Sequence, residues 1–210
     1  MFTSDLFETK VLSFFDRIRG YTESMTESSG YSLEGSWTKD LVFSKMWIAK
    51  ELEKIFGSDP IKTVYILGSW YGNLSIILAR SSLNISKIIN VDTNTEWLQT
   101  GQQIIKDMNI NNVKSMNKDV NSLDYRQLPG IVINSSTNDI ENQGWFDRVP
   151  KGTVVVVQGR NSVGEKAVYS FDSPDDLMKL YPLNTVLYSG ELSLTDPETD
   201  YKRSMVIGIK

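Results

Sequence analysis

Two glycines and one carboxylate carry the most chemical information in this chain. Gly68 and Gly72 punctuate Lys62-Thr-Val-Tyr-Ile-Leu-Gly-Ser-Trp-Tyr-Gly72, and Asp92 ends Ile88-Ile-Asn-Val-Asp92, 20 residues beyond the second glycine. An apolar run entering a glycine turn brings backbone close to a ligand, and the helix that follows offers unpaired N–H groups at its start. A carboxylate about 20 residues further on can accept both hydrogens of a ribose diol. The chemistry implied is the grip of a nucleotide-bearing cofactor. On these residues alone a nicotinamide dinucleotide, a flavin dinucleotide and S-adenosylmethionine fit equally.

Composition removes other chemistries. The chain has neither cysteine nor histidine, so disulfides, thiolate metal sites, cysteine nucleophiles and the commonest general base are all absent. Proton transfer falls to Asp, Glu, Lys, Tyr or the substrate. Lys+Arg 22 against Asp+Glu 26 gives a net charge of −4 and a pI near 5.0. No global positive field gathers nucleic acid, which disfavours such a partner and leaves a local patch open. No apolar run approaches the roughly 18 residues that span a bilayer, and the first residues include acids without a signal-like apolar segment. The expectation is a soluble cytoplasmic protein with no membrane partner. At 210 residues and 40% hydrophobic content, one domain with one sizeable core is expected.

The elements that must hold the glycines and the acid can be read from periodicity. Phe7, Val11, Phe14, Phe15 and Ile18 predict an amphipathic helix ending near Gly20, and the polar stretch Tyr21 to Trp37 predicts a loop or a flap over a ligand. Helix is expected again from Thr38 to Phe56, with Leu41, Ile48, Ala49, Leu52, Ile55 and Phe56 on one face, stopped by Gly57-Ser-Asp-Pro60. Residues 1–60 thus form an N-terminal helical and flap segment, and 61–210 the nucleotide-binding unit. There, strands at Val64–Leu67, Lys87–Val91, Val113–Met116, Ile131–Asn134 and Thr153–Val157 alternate with helices at Asn73–Ser82, Thr95–Met108 and Glu141–Val149. Such alternation predicts a parallel sheet between helical layers. Asn138 and Asp139 are read as starting the helix before Val149. Gln158-Gly-Arg-Asn161 is placed beyond the fifth strand, with Arg160 a candidate for an anionic substrate group. After a short helix at Pro174–Tyr181 the rhythm changes. Thr185–Leu194 and Tyr201–Ile209 are strand-like with no helix between them, so an antiparallel hairpin is expected.

An open parallel sheet closed by an antiparallel hairpin resembles class I S-adenosylmethionine-dependent methyltransferases over about Lys62 to Lys210. The resemblance implies an α/β, Rossmann-like, mostly parallel seven-stranded sheet with helices on both faces. It also implies S-adenosylmethionine as cofactor, held by Gly68, Ser69, Trp70, Tyr71 and Gly72 in the glycine turn. Asp92 resembles the family's ribose-binding acid; Asp119, in Asn117-Lys-Asp-Val120, is similar to the acceptor of the adenine amino group, with Val120 offering an N–H nearby. Asn134 and Ser135 stand where the family places catalytic or substrate-orienting residues. No metal is implied. Two positions depart from the pattern: Ile66 replaces an acid that contacts the methionine amino group, and Trp70 fills a place usually held by glycine, where a bulky side chain resists positive φ. Each polar candidate also has a plain alternative: Asp92 as a cap for the helix near Thr95, Asp119 as a turn former, Asn134 as a partner for loop backbone. Gly68-Ser-Trp-Tyr-Gly-Asn73, Leu187-Tyr-Ser-Gly-Glu191 and Met205-Val-Ile-Gly208 further resemble small methyltransferase-like proteins of bacteriophages, which would place the chain in a host cytoplasm.

Methyl transfer from a sulfonium requires alignment and water exclusion more than covalent help, so the lack of histidine and cysteine is tolerable. Asn134 is followed by Ser135-Ser136 and not by prolines, unlike the amino-methylating DNA enzymes, and without cysteine the covalent route to pyrimidine carbon-5 is closed. An oxygen or nitrogen acceptor on a small molecule, a protein or an RNA remains. Two other readings compete: a non-catalytic binding or structural protein on the same scaffold, and a nicotinamide-dependent oxidoreductase, which accounts for Gly68 to Asp92 but not for the terminal hairpin.

Overall fold

The computed structural model describes residues 33, 35–125, 130–161, 167–195 and 200–210. The helix expected over Phe7–Ile18 lies outside them, as does the segment from Tyr21 up to residue 32. Seven strands form one sheet: β1 (Val64–Leu67), β2 (Ile88–Asp92), β3 (Val113–Asn117), β4 (Ile131–Asn134), β5 (Val154–Arg160), β6 (Thr185–Thr195) and β7 (Asp200–Ile209). Their spatial order is β3-β2-β1-β4-β5-β7-β6. The first five run parallel, whereas β7 lies antiparallel to both β5 and β6. Strand order reverses between β1 and β4, and in such sheets the crevice at the reversal is where ligands bind.

Helices cover both faces because the strands alternate apolar residues to both sides. Val64 and Ile66 of β1, Ile131 and Ile133 of β4, and Met205 and Ile207 of β7 join one core cluster. Their neighbours Leu67, Val132 and Val206 join the other. Side chains alternate across a strand with period 2, so near-continuous apolar runs mark strands buried on both sides. Helices α1 (Lys39–Phe56) and α2 (Asn73–Arg80) contribute Ile48, Leu52, Ile76 and Leu78 to the first cluster, with Ile104 and Ile105 from α3 (Thr95–Asp107). The second is closed by α4 (Gly144–Arg148) and α5 (Pro174–Leu180), whose Trp145, Phe146 and Leu177 are buried. No helix among the described residues is long and apolar enough to cross a membrane.

Three local expectations need correction. Helix over Glu141–Val149 shrinks to α4, because Asn142 Oδ1 accepts the Gly144 N–H and Asn121 Oδ1 accepts the Trp145 N–H, which fixes the entry as a turn. Gln158, Gly159 and Arg160 are not beyond β5 but part of it, paired with Met205, Ser204 and Arg203 of β7. Asn138 and Asp139 start no helix. The Asn138 side chain instead bonds backbone on three sides, accepting from Arg160 N–H at 2.9 Å and donating to the carbonyls of Arg160 and Tyr169 at 2.9 and 2.7 Å.

Helix α1 is tied into the same core as the sheet. Ser44 and Gln158 are both fully buried, and the Ser44 hydroxyl donates to Gln158 Oε1 at 2.8 Å while Gln158 Nε2 donates back to the Ser44 carbonyl at 3.3 Å. A buried amide is tolerated only when so paired. The pairing fixes the rotation of α1 and turns its next residue, Lys45, toward the strand ends.

Candidate functional site

The glycine turn leaves β1 in left-handed geometry at three of its five residues: Gly68 at φ 59°, Trp70 at φ 53° and Gly72 at φ 78°. Gly72 N–H closes the turn on the Ser69 carbonyl at 2.9 Å. A Cβ on Gly68 would come within 3.0 Å of Ser136, and one on Gly72 within 2.6 Å of the Asn90 amide, so both positions need glycine for space as well as for φ. Trp70 takes the strained conformation that its bulk resists, a cost on the order of 1–3 kcal/mol. Two observations explain it. Its N–H donates to Asp92 Oδ2 at 2.8 Å, and its ring lies against Tyr71 and Trp97, with centroids 5.6 and 6.0 Å away.

Asp92 is therefore first a brace. Its other oxygen accepts the Asn94 N–H at 2.9 Å, and the Asn94 side chain in turn caps α3 at Trp97 N–H. The carboxylate is buried, 7% exposed. Each oxygen keeps one further acceptor direction, so the group can still receive a hydroxyl at its edge. On the same side Asn90 donates to Ser75, and Ser75 to the Gly72 carbonyl, at 2.9 and 2.6 Å. Asp119 is exposed and caps the short 3-10 turn Val120–Ser122 through Asn121 N–H at 2.8 Å, the turn-forming alternative read for it; Val120 is buried.

The side facing β4 is built differently. A cleft with about 370 Å³ of empty space, including its solvent-open mouth, lies between Gly68-Ser-Trp70, Asn73 and Leu74 on one wall and Ser135-Ser136 on the other, with Lys45 and Leu41 of α1 and Ser36 across it. It stands at the reversal of strand order. Ser69 Oγ and Asn73 Oδ1 are buried here without a hydrogen-bond partner among the described residues. The Asn73 amide nitrogen is held by the carbonyl and hydroxyl of Ser36. Ile66, in place of an acid, lines the cleft as well. Two unpartnered acceptors beside it suit the ammonium of a bound amino acid, a donor that a buried oxygen without a partner lacks.

Lys45 is the residue that sequence reading missed. Its Nζ donates to Ser135 Oγ at 2.9 Å, and among the described residues it has no ion pair. Burial first, and then the positive charge of Arg203, push its ammonium down to about 7, against the opposing pull of Asp139. A lysine so placed exchanges its proton near neutral pH far more readily than an ordinary one. The signal was present: Leu41, Lys45, Ile48 and Leu52 follow helical spacing, so Lys45 interrupts an otherwise apolar face. Of the expected residues, Gly68, Ser69, Trp70 and Ser135 are brought together at the cleft. Asn134 is buried in β4 with its Oδ1 accepting Ser136 N–H at 3.0 Å, and neither it nor Tyr71, Gly72, Asp92, Asp119 and Val120 lines the cleft. No group of acids that could hold a metal occurs among the described residues.

No protein-family model and no curated protein matches this sequence. Solved structures do match. Magnesium protoporphyrin IX methyltransferase of Synechocystis PCC 6803, solved with bound S-adenosylhomocysteine, superposes with a TM-score of 0.63 at 13% identity, covering 93% of this chain and 94% of that one. The fold is that of class I S-adenosylmethionine-dependent methyltransferases. The N-methyltransferase NodS of Bradyrhizobium japonicum WM9, in complex with S-adenosylhomocysteine, gives 0.61 at 8% identity over 86% of this chain and 93% of that one. An rRNA methylase of Streptococcus thermophilus gives 0.53 at 17% identity over 83% and 99%. At identities of 8 to 17% the likeness is one of fold.

Proposed function

We propose that this protein binds S-adenosylmethionine at the β1–β4 cleft and transfers its methyl group to an oxygen or nitrogen acceptor. The observation that carries the reading is the pair of acceptors without a partner among the described residues, Ser69 Oγ and Asn73 Oδ1, beside the Gly68 turn at the reversal of strand order. They would hold the amino-acid end of the cofactor, replacing the acid that Ile66 displaces. Gly68, Ser69, Trp70, Tyr71 and Gly72 would shape the turn beneath it, and Asp92, Asp119 and Val120 lie on the β2–β3 side where the sugar and base would extend. When bound, the cofactor supplies an already activated methyl group, so the chain's own task is alignment, exclusion of water and proton removal. Ser135 faces the cleft as an orienting group, and Asn134 supports it from within β4.

The acceptor is a small molecule, a protein or an RNA, with the acidic charge of the chain favouring the first two, and the reaction would run in the cytoplasm, a host's if the gene is a phage's. Titration calorimetry with S-adenosylmethionine and S-adenosylhomocysteine tests the reading: micromolar binding of both is expected, and no heat at millimolar ligand with folded protein ends it. One observation favours a second reading, a non-catalytic binding protein on this scaffold. Both Asp92 oxygens already hold backbone N–H groups. On that reading the scaffold has lost the cofactor: Asp92→Ala with no effect on ligand-dependent melting would support it, and an occupied cofactor site in the purified protein would count against it. The nicotinamide reading has no such observation in its favour, and a fluorescence titration with NADH showing no change disposes of it.

A further inference from the structure

We propose that Lys45 is the proton acceptor of the site, and hence that the methyl acceptor is a nucleophile that carries a proton, a hydroxyl or an N–H, rather than a carboxylate. This rests on the methyltransferase reading above. The geometry is specific. Lys45 extends from α1 across the cleft, opposite the Gly68–Trp70 wall, and Ser135 Oγ takes one of its hydrogens at 2.9 Å. That bond fixes the side chain, so a neutral amine would keep its lone pair free for the cleft; Ser135 is a positioning residue in this scheme. The charged groups facing Lys45 are Arg203 from β7 and Asp139 from the segment after β4. Asp139 forms no ion pair with it, and among the described residues no carboxylate locks the ammonium in its charged form.

A lysine on a buried helix face usually snorkels to water or finds an acid. This one is half-buried and pairs with no acid among the described residues, and burial with Arg203 brings its ionisation to about 7. A carboxylate acceptor needs no base, whereas a hydroxyl or amine must lose a proton as it is methylated. In the balanced step the acceptor's lone pair forms the bond to the methyl carbon, and the carbon–sulfur bond breaks with its electron pair going to sulfur. The acceptor's proton passes to Lys45 Nζ, which becomes an ammonium and returns the proton to water after product leaves.

The test needs no acceptor. S-adenosylmethionine carries a positive sulfonium that S-adenosylhomocysteine lacks, so a charged Lys45 beside the methyl position disfavours the first ligand selectively. Calorimetric Kd values for both ligands are measured from pH 6 to 9. In wild type the ratio of the homocysteine Kd to the methionine Kd is expected to rise about tenfold through pH 7, beyond any change in Lys45→Met, which retains the ligands' own titrations. Lys45→Arg, with a fixed charge, should hold the ratio near its low-pH value, and melting curves establish that both variants fold. NMR titration of labelled lysine without ligand should show one ammonium titrating near 7 that is missing in Lys45→Met. A wild-type ratio that parallels Lys45→Met, or a Lys45 titrating in the ordinary lysine range, overturns the proposal while leaving the cofactor reading intact. Failure of both ligands to bind folded wild type overturns the two together.

Discussion

The two flanks of the glycine turn are built on opposite plans. Toward β2 the polar groups are largely paired with one another: Asp92 holds Trp70 and Asn94, and Asn90 reaches Gly72 through Ser75, although Asn90 Oδ1 has no partner among the described residues. Toward β4 the turn presents Ser69 Oγ and Asn73 Oδ1 with no partner, and a lysine with no counter-ion, among the described residues. A buried polar group without a partner costs free energy, so a fold that leaves several around one cleft lacks stability there that a ligand can restore. The paired flank holds the turn in shape; the unpaired flank is where recognition is expected. Mutations on the first should therefore act mainly on stability and those on the second mainly on binding.

The largest effect is expected from Asp92→Ala, which strips two partly buried backbone donors of their acceptor. Urea denaturation should show a loss of about 3 kcal/mol, and a loss below a few tenths would erase the contrast between the flanks. Next is Gly101→Ala. Gly101 of α3 sits against the Tyr71 backbone, where a Cβ collides with the carbonyl. Backbone cannot swing aside as a side chain can, so about 2 kcal/mol of destabilisation by overpacking is expected in thermal melts, with the turn displaced.

A graded effect, smaller per unit of pH, concerns Lys45. The unfolded chain keeps the Lys45 proton up to the ordinary lysine value of 10.5, whereas the folded chain releases it at about 7. Between those values the unfolded state binds more protons, so raising the pH stabilises the fold, by at most about 1.4 kcal/mol per unit for one full proton. Wild type should gain on Lys45→Met as pH rises from 7 toward 10 in chemical denaturation, and the two should run parallel below 6. The smallest change in stability belongs to Ser69→Ala, within about 0.5 kcal/mol because no bond is lost. Its affinity for S-adenosylmethionine should nonetheless fall about tenfold, the size of one hydrogen bond to a charged group. Equal losses in stability and binding would merge the two flanks into one.

Much of the architecture was legible in the sequence because periodicity is local. The alternating strands, the terminal hairpin and the reach of α1 from residue 39 to Phe56 follow from apolar spacing and from Gly57 and Pro60. Element ends were less legible where side chains from distant segments decide them. β5 runs on to Arg160 because β7 supplies partners as far as Arg203, and α4 starts late because Asn121 holds Trp145. The site was legible as a place, through Gly68 and Gly72, and less so as a set of contacts. Asp92 was identified by position, but the donors it holds depend on Trp70 adopting φ 53°, against the preference of its residue type. Lys45 went unread because its importance arises from Ser135, 90 residues away, a proximity that no helical pattern encodes.

Asn138 has a consequence of its own. Its amide receives from and gives to the main chain of Arg160, just where β4 has ended and the ladder offers β5 no further rung on that edge. One side chain thus impersonates a strand partner and hands the same grip on to Tyr169. Aspartate, nearly identical in shape, would turn two attractive contacts into oxygen facing oxygen, and glutamine would overshoot. This is a position where chemical identity, not size or polarity, decides whether the far bank of the cleft stays moored to the sheet.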